Sequence, residues 1–226
     1  MDKLSTKKIK EKSEMKDSQK LSGLKILCIS ASNRINATKT NSYRKCEAVL
    51  DEAAKHISEM QDEIIELQNY SLSPCIDCSG CKISKRCAID NAFNEIYEKI
   101  IACDILFIVS PHYAPIPAKL CMLMEKMGYI VSIHSSKDKF YQGETHGIKT
   151  AIITHGATAV DEAARKRKKR ILNDPIVVGL YDSQLKIIPF DDEWDTGICV
   201  QPIEKNTSGE TLSRINEYAF RVINNI

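Results

Sequence analysis

Four of the nine cysteines fall on one short stretch: Cys75, Cys78, Cys81 and Cys87. The spacing C-x2-C-x2-C-x5-C sets four soft thiolate donors close together, which suits a soft metal. Zinc sites more often come as two C-x2-C pairs separated by a dozen or more residues. Three cysteines at two-residue gaps, with a fourth close behind, look like a loop wrapped around one cluster, with 4Fe–4S the leading reading. Zinc, and a metal-free loop of redox thiols, stay open on spacing alone. Gly80 is expected to give the tight turn between ligands. An odd cysteine total with one dense cluster argues against a secreted disulfide scaffold and for a reducing cytoplasm. The other five, Cys28, Cys46, Cys103, Cys121 and Cys199, read as small packing residues.

Three further stretches carry groups that bind ligands. Ser30 to Ser42 is dense in hydroxyls and amides, holds Arg34 and Lys39, and runs into a helix. A helix N-terminus offers free N–H groups and a positive dipole end to a phosphate. No glycine-rich dinucleotide or triphosphate motif is present, so a terminal monophosphate fits this loop better. Ser110-Pro111-His112-Tyr113-Ala114-Pro115-Ile116-Pro117 is stiffened by three prolines and can hold peptide groups and Tyr113 against a flat ring. Thr154-His155-Gly156-Ala157-Thr158 offers a histidine and a glycine. Each stretch alone is equally readable as an ordinary connection. Their value lies in where the fold would put them.

The elements between these stretches follow from hydrophobic patterning. Residues 24–30, 62–67, 104–110, 149–154 and 184–189 read as five strands, and the first and third are almost continuously apolar, as buried parallel strands are. Helices are expected over about 42–60, 93–101 with Asp90 or Asn91 as N-cap, 119–131, 159–172, a short 174–182, and 212–223. Alternation of strands and helices implies an α/β fold, a three-layer sandwich around a five-stranded parallel sheet. The flavodoxin-like order 2-1-3-4-5 leads among topologies, and it brings all three ligand loops to the carboxyl edge of the sheet.

Charge narrows the partners. The net charge of +2 argues against a strong nucleic-acid or membrane partner, and no apolar run approaches a membrane span. Residues 1–22 are expected to form a basic mobile tail, followed by one flavodoxin-like domain over 23–226 that carries the cysteine loop at 70–90. The run Arg165-Lys166-Arg167-Lys168-Lys169-Arg170 reads either as a phosphate grip or as a solvated helix face.

Taken together, these residues resemble the flavodoxin-like NADPH-dependent FMN reductases, and within them the iron–sulfur flavoproteins. The resemblance rests on I-S-A-S-N-R at 29–34, N-S-Y-R-K at 41–45, the cysteine spacing at 75–87, D-N-A-F at 90–93, and S-P-H-Y at 110–113 before the helix A-K-L-C-M-L-M-E-K. It implies FMN at the sheet edge, with Ser30, Ser32, Arg34, Asn41 and Ser42 around the phosphate. It implies the isoalloxazine against Pro111, His112, Tyr113 and Ala114, with His155 and Gly156 on the far side. It further implies a 4Fe–4S cluster on Cys75, Cys78, Cys81 and Cys87, NADPH or NADH as electron donor, and a quinone-, metal- or ferredoxin-type acceptor. A homodimer or homotetramer follows from the same likeness. The activity expected is NAD(P)H-dependent FMN oxidoreduction, with no side chain acting as a strong acid or base. The alternatives are a non-enzymatic flavin carrier or redox sensor without a cluster, and a zinc-stapled structural module.

Overall fold

The computed structural model describes residues 21–35, 39–113, 115–203 and 208–225. The tail expected over 1–22 lies outside them as far as residue 20. Its last two residues form a short strand, β1 (Leu21–Ser22), parallel to β3 (Ile57–Ser58).

The main sheet is built from β2 (Lys25–Ser30), β4 (Gln61–Glu66), β5 (Ile105–Pro111), β6 (Lys149–His155), β7 (Lys186–Ile187) and β8 (Ile198–Val200). Its path is β4-β2-β5-β6-β7, with β8 also paired to β6, and every pairing is parallel. The central strands are continuously apolar because both faces are covered. Ile26, Cys28, Ile105, Phe107 and Val109 enter one core, under α1 (Asn41–His56) and α6 (Ser208–Ile223). Leu27, Ile29, Leu106 and Ile108 enter the other, under α3 (Asn91–Ile101), α4 (Ala118–Ser135) and part of α5 (Glu162–Leu180). The period-2 alternation of the strands thus feeds two layers of helices.

Three expectations need correction. The sheet has six strands rather than five, because the fifth position is shared. β7 pairs with Lys149 and Thr150, and β8 with Ile153 to His155. Pro189 has no N–H to give to a ladder, and Phe190 and Trp194 bury themselves in the first core, which draws the chain off the edge. Gly197 brings it back at φ 95°, where any Cβ would sit 2.2 Å from the Ile152 carbonyl oxygen. Second, the two helices expected over 159–172 and 174–182 are one continuous α5, with Pro175 inside. An internal proline costs roughly 3 kcal/mol. Burial of Leu172, Ile176 and Leu180 outweighs that, at about 1.5–3 kcal/mol each. The buried Asn173 adds a tie on both sides. Its Oδ1 accepts from Thr154 Oγ1 at 2.6 Å, and its Nδ2 donates to the carbonyls of Thr196 and Ile198. Third, Cys121 is exposed on α4, whereas Cys28, Cys46, Cys103 and Cys199 are buried.

No helix among the described residues is long and apolar enough to cross a membrane.

Candidate functional site

Parallel strands share one carboxyl edge, and the register places Pro111 beside His155 and His155 beside Val200 there. Backbone bonds lock the loops together: His112 N donates to the His155 carbonyl at 3.0 Å, and Gly156 N to the Val200 carbonyl at 3.2 Å. A cavity of about 530 Å³ opens above this edge. From the loop after β2 and the start of α1 it takes Ser32, Arg34, Asn41 and Ser42. Pro111, His112 and Tyr113 come from the loop after β5, and His155 and Gly156 from the end of β6. These nine are all residues singled out from the sequence. Ser30 is not in the lining; it is fully buried, with its hydroxyl 3.4 Å from Thr40 Oγ1. Ala114 lies outside the described residues. Gly156 does not adopt the left-handed backbone, and a Cβ there would meet His112 Cβ at an ordinary 3.5 Å.

Helix α1 starts at this cavity. Thr40 caps it by accepting from Tyr43 N at 3.1 Å. The first-turn N–H groups at Asn41 and Ser42 have no partner within the helix, which leaves a site for an anion. Beneath it lies Lys45, wholly buried, whose Nζ donates to Asn41 Oδ1 at 3.2 Å. Burial pushes its ammonium down to about 7. Ser42 Oγ and His155 Nε2 lie 2.9 Å apart in the buried floor. Burial, and then the Lys45 charge, hold His155 well below the ordinary imidazole range, so the ring is neutral at neutral pH.

Sequence reasoning missed Ala157, Thr158, Lys168 and Pro202 in the lining. Lys168 belongs to the basic run, and its Nζ donates to His112 Nδ1 at 2.8 Å. Burial, and then Lys168, lower the His112 pKa. The Lys168 bond fixes the tautomer of His112, leaving its Nε2 as the N–H donor.

The second cluster lies on the loop between β4 and α3, which carries the one-turn helix α2 (Cys81–Ser84), and it shares no lining residue with the first cavity. Cys75, Cys78, Cys81 and Cys87 line one small cavity with Ile76, Ile89, Tyr129 and Ile130. The cavity as it stands is about 20 Å³, room for about one water. Burial raises the Cys81 thiol, and the closeness of Cys75, Cys78 and Cys87 raises it further. The turns between the thiols are made by Asp77 (φ 51°), Ser79 (φ 61°) and Lys85 (φ 55°), all left-handed and none of them glycine. This corrects the expectation for Gly80, which is right-handed. Its missing side chain serves close approach instead, since a Cβ would lie 2.5 Å from Ala88 Cβ.

A buried ion pair anchors the loop. Asp90 caps α3 by accepting from Phe93 N at 2.9 Å, accepts from Ser73 N at 3.0 Å, and receives Lys126 of α4. Burial alone would raise the Asp90 carboxyl, but the hydrogen bonds from Lys126, Ser73 and Phe93 hold it below its ordinary value. Cys75 N donates to Glu125 Oε2 at 3.0 Å, and Asn94 bonds both backbone groups of Cys87 at 2.8 Å. Among the described residues, no three or more His, Cys, Asp or Glu side chains converge as ligands of a single metal ion.

The family model for NADPH-dependent FMN reductases matches residues 24–172. The chain belongs to that family. Among curated relatives, the iron–sulfur flavoprotein of Methanosarcina thermophila is 29% identical over 86 residues, covering 37% of this chain and 45% of the relative. An iron–sulfur flavoprotein of Methanocaldococcus jannaschii is 30% identical over 105 residues, 46% of this chain and 51% of the relative. The chain therefore spans about half the length of the curated relatives it matches. The FMN-dependent NADH-azoreductase of Bacillus anthracis, solved with FMN, superposes with a TM-score of 0.55 at 15% identity, covering 88% of this chain and 99% of that one. At that identity the likeness speaks for the flavodoxin-like fold of this family member.

Proposed function

We propose that the protein is an FMN-dependent NAD(P)H oxidoreductase. The observation that carries this is the convergence of nine ligand-type residues from three loops on one 530 Å³ cavity at the sheet edge. That volume suits a mononucleotide-sized ligand. Ser32, Arg34, Asn41 and Ser42 hold the FMN phosphate at the N-terminus of α1, with Lys45 as a buried countercharge. Pro111, His112 and Tyr113 support the ring, and His155 keeps Ser42 in place. When bound, FMN supplies hydride acceptance from a reduced nicotinamide and onward transfer of electrons. With Lys168 on its Nδ1, His112 would have its Nε2–H to offer the flavin ring, and neutral His155 adds no competing charge.

The thiol loop fits an iron–sulfur cluster chemically: four thiols, an apolar wall and preset turns. Cys75, Cys78, Cys81 and Cys87 would hold 4Fe–4S and give one-electron exchange with a quinone, a metal ion or a ferredoxin-type acceptor. The loop must spread to admit it, and exposed Cys78 and Ile76 leave room for that. Exposed Ile76, Ile83 and Ile89 around the thiols support a homodimer or homotetramer.

The test of the reductase reading is steady-state oxidation of NADPH and NADH by the FMN-loaded protein, with ferricyanide or a quinone as acceptor. Turnover dependent on FMN is expected. No turnover with either donor rejects the enzyme and leaves a flavin carrier.

A further inference from the structure

The basic run on α5 divides by partner. Arg165 pairs with Glu162 and Glu210, Lys166 with Glu193, and Lys169 with Asp174 and Asp195. Lys168 turns the other way and donates to the neutral ring of His112. Arg167 and Arg170 have no acidic partner among the described residues, and both are exposed. They border a second cavity, of about 470 Å³, whose floor is Ala164, Ile171 and Thr158. Thr158 and Lys168 also line the sheet-edge cavity, so the two spaces adjoin.

We infer that Arg167 and Arg170 bind the 2′-phosphate of NADPH, and that this second cavity takes its adenosine end. The inference rests on the reductase reading of the neighbouring site. Residues three apart on a helix stand side by side, about 5–6 Å between Cβ atoms. Two guanidinium groups at that spacing can close on one phosphate from two sides, each with paired N–H donors. The apolar floor offers a surface for a flat adenine face. A 2′-hydroxyl in place of the phosphate would leave both cations without a partner, so NADH gains nothing here. Three members of the run are neutralised by acids, Lys168 is engaged by His112, and Arg167 and Arg170 remain, lining the cavity that adjoins the sheet-edge one.

The test uses the FMN-loaded full chain. Calorimetric titration with adenosine 2′,5′-bisphosphate and with adenosine 5′-monophosphate should show at least about tenfold tighter binding of the bisphosphate. Arg167→Gln with Arg170→Gln should remove that difference and lower the NADPH-to-NADH ratio of kcat/KM about tenfold. Equal binding of the two nucleotides by the unaltered protein overturns the inference, as does a ratio unmoved by the double substitution. A protein that oxidises neither donor rejects the reductase reading, and the titration still decides the fate of Arg167 and Arg170.

Discussion

The sheet-edge cavity and the thiol cavity are built in opposite ways. The first is wide and polar, and its walls are the ends of three parallel strands. Its residues sit where the topology of the sheet puts them. The second is tight and apolar, and no strand or long helix supplies its thiols. It exists because a loop holds three non-glycine residues left-handed and is pinned by the buried pair Asp90–Lys126. One site comes with the fold, and the other is written into a single loop. They should therefore be separable by mutation.

The largest effect should come from the thiols. Cys75→Ser or Cys78→Ser is expected to abolish iron binding while FMN content stays as in the unaltered protein, measured by metal analysis and flavin absorbance. Joint loss of both cofactors would join the two regions into one unit. Next in size is Lys126→Met. It leaves Asp90 buried and unpaired, which costs about 3–5 kcal/mol of stability, read from urea unfolding. Asp90 and Lys126 are both 3% exposed at the side chain, so little solvent screening softens the loss.

Smaller and confined to the sheet edge is Ser42→Ala. It removes a first-turn hydroxyl and the partner of His155, and FMN affinity should fall about tenfold by titration, with iron unchanged. The smallest effect is a proton. Free of ligand, Lys45 titrates at about 7, so at pH 8 it is mostly neutral. A phosphate dianion placed above it favours the charged form and raises its pKa. FMN binding at pH 8 should take up as much as about one proton, seen as a calorimetric enthalpy that changes with buffer ionisation. Below about pH 6 the uptake from this group vanishes, because the ammonium is already formed. Lys45→Met should abolish it throughout.

The same contrast explains how much the sequence reveals. The strands are legible in runs such as 25–30 and 105–110, because a sheet covered on both faces needs unbroken apolar residues. Once strands are placed, the loops at their carboxyl ends follow, and with them Ser32, Arg34, Asn41, Ser42, Pro111, His112, Tyr113, His155 and Gly156. Lys168 is hidden in a run of like charges. Its place depends on how α5 packs across the end of β6, which no local pattern encodes. The join at Pro175 is hidden for the same reason, since burial of Ile176 and Leu180 overrides a local stop signal. In the thiol loop, spacing identifies the donors but not the backbone. The glycine that invites a turn serves contact with Ala88, and Asp77 and Ser79 make the turns instead. Cys121 shows the limit of reading a scattered cysteine as core, because an amphipathic helix has an outer face too.

The most direct measurement is anaerobic purification of the full chain, with FMN, iron and acid-labile sulfide counted per chain alongside the absorption spectrum. The account predicts about one FMN together with about four irons and about four sulfides. Zinc without sulfide on the thiols, or a protein that takes up no FMN, would contradict it.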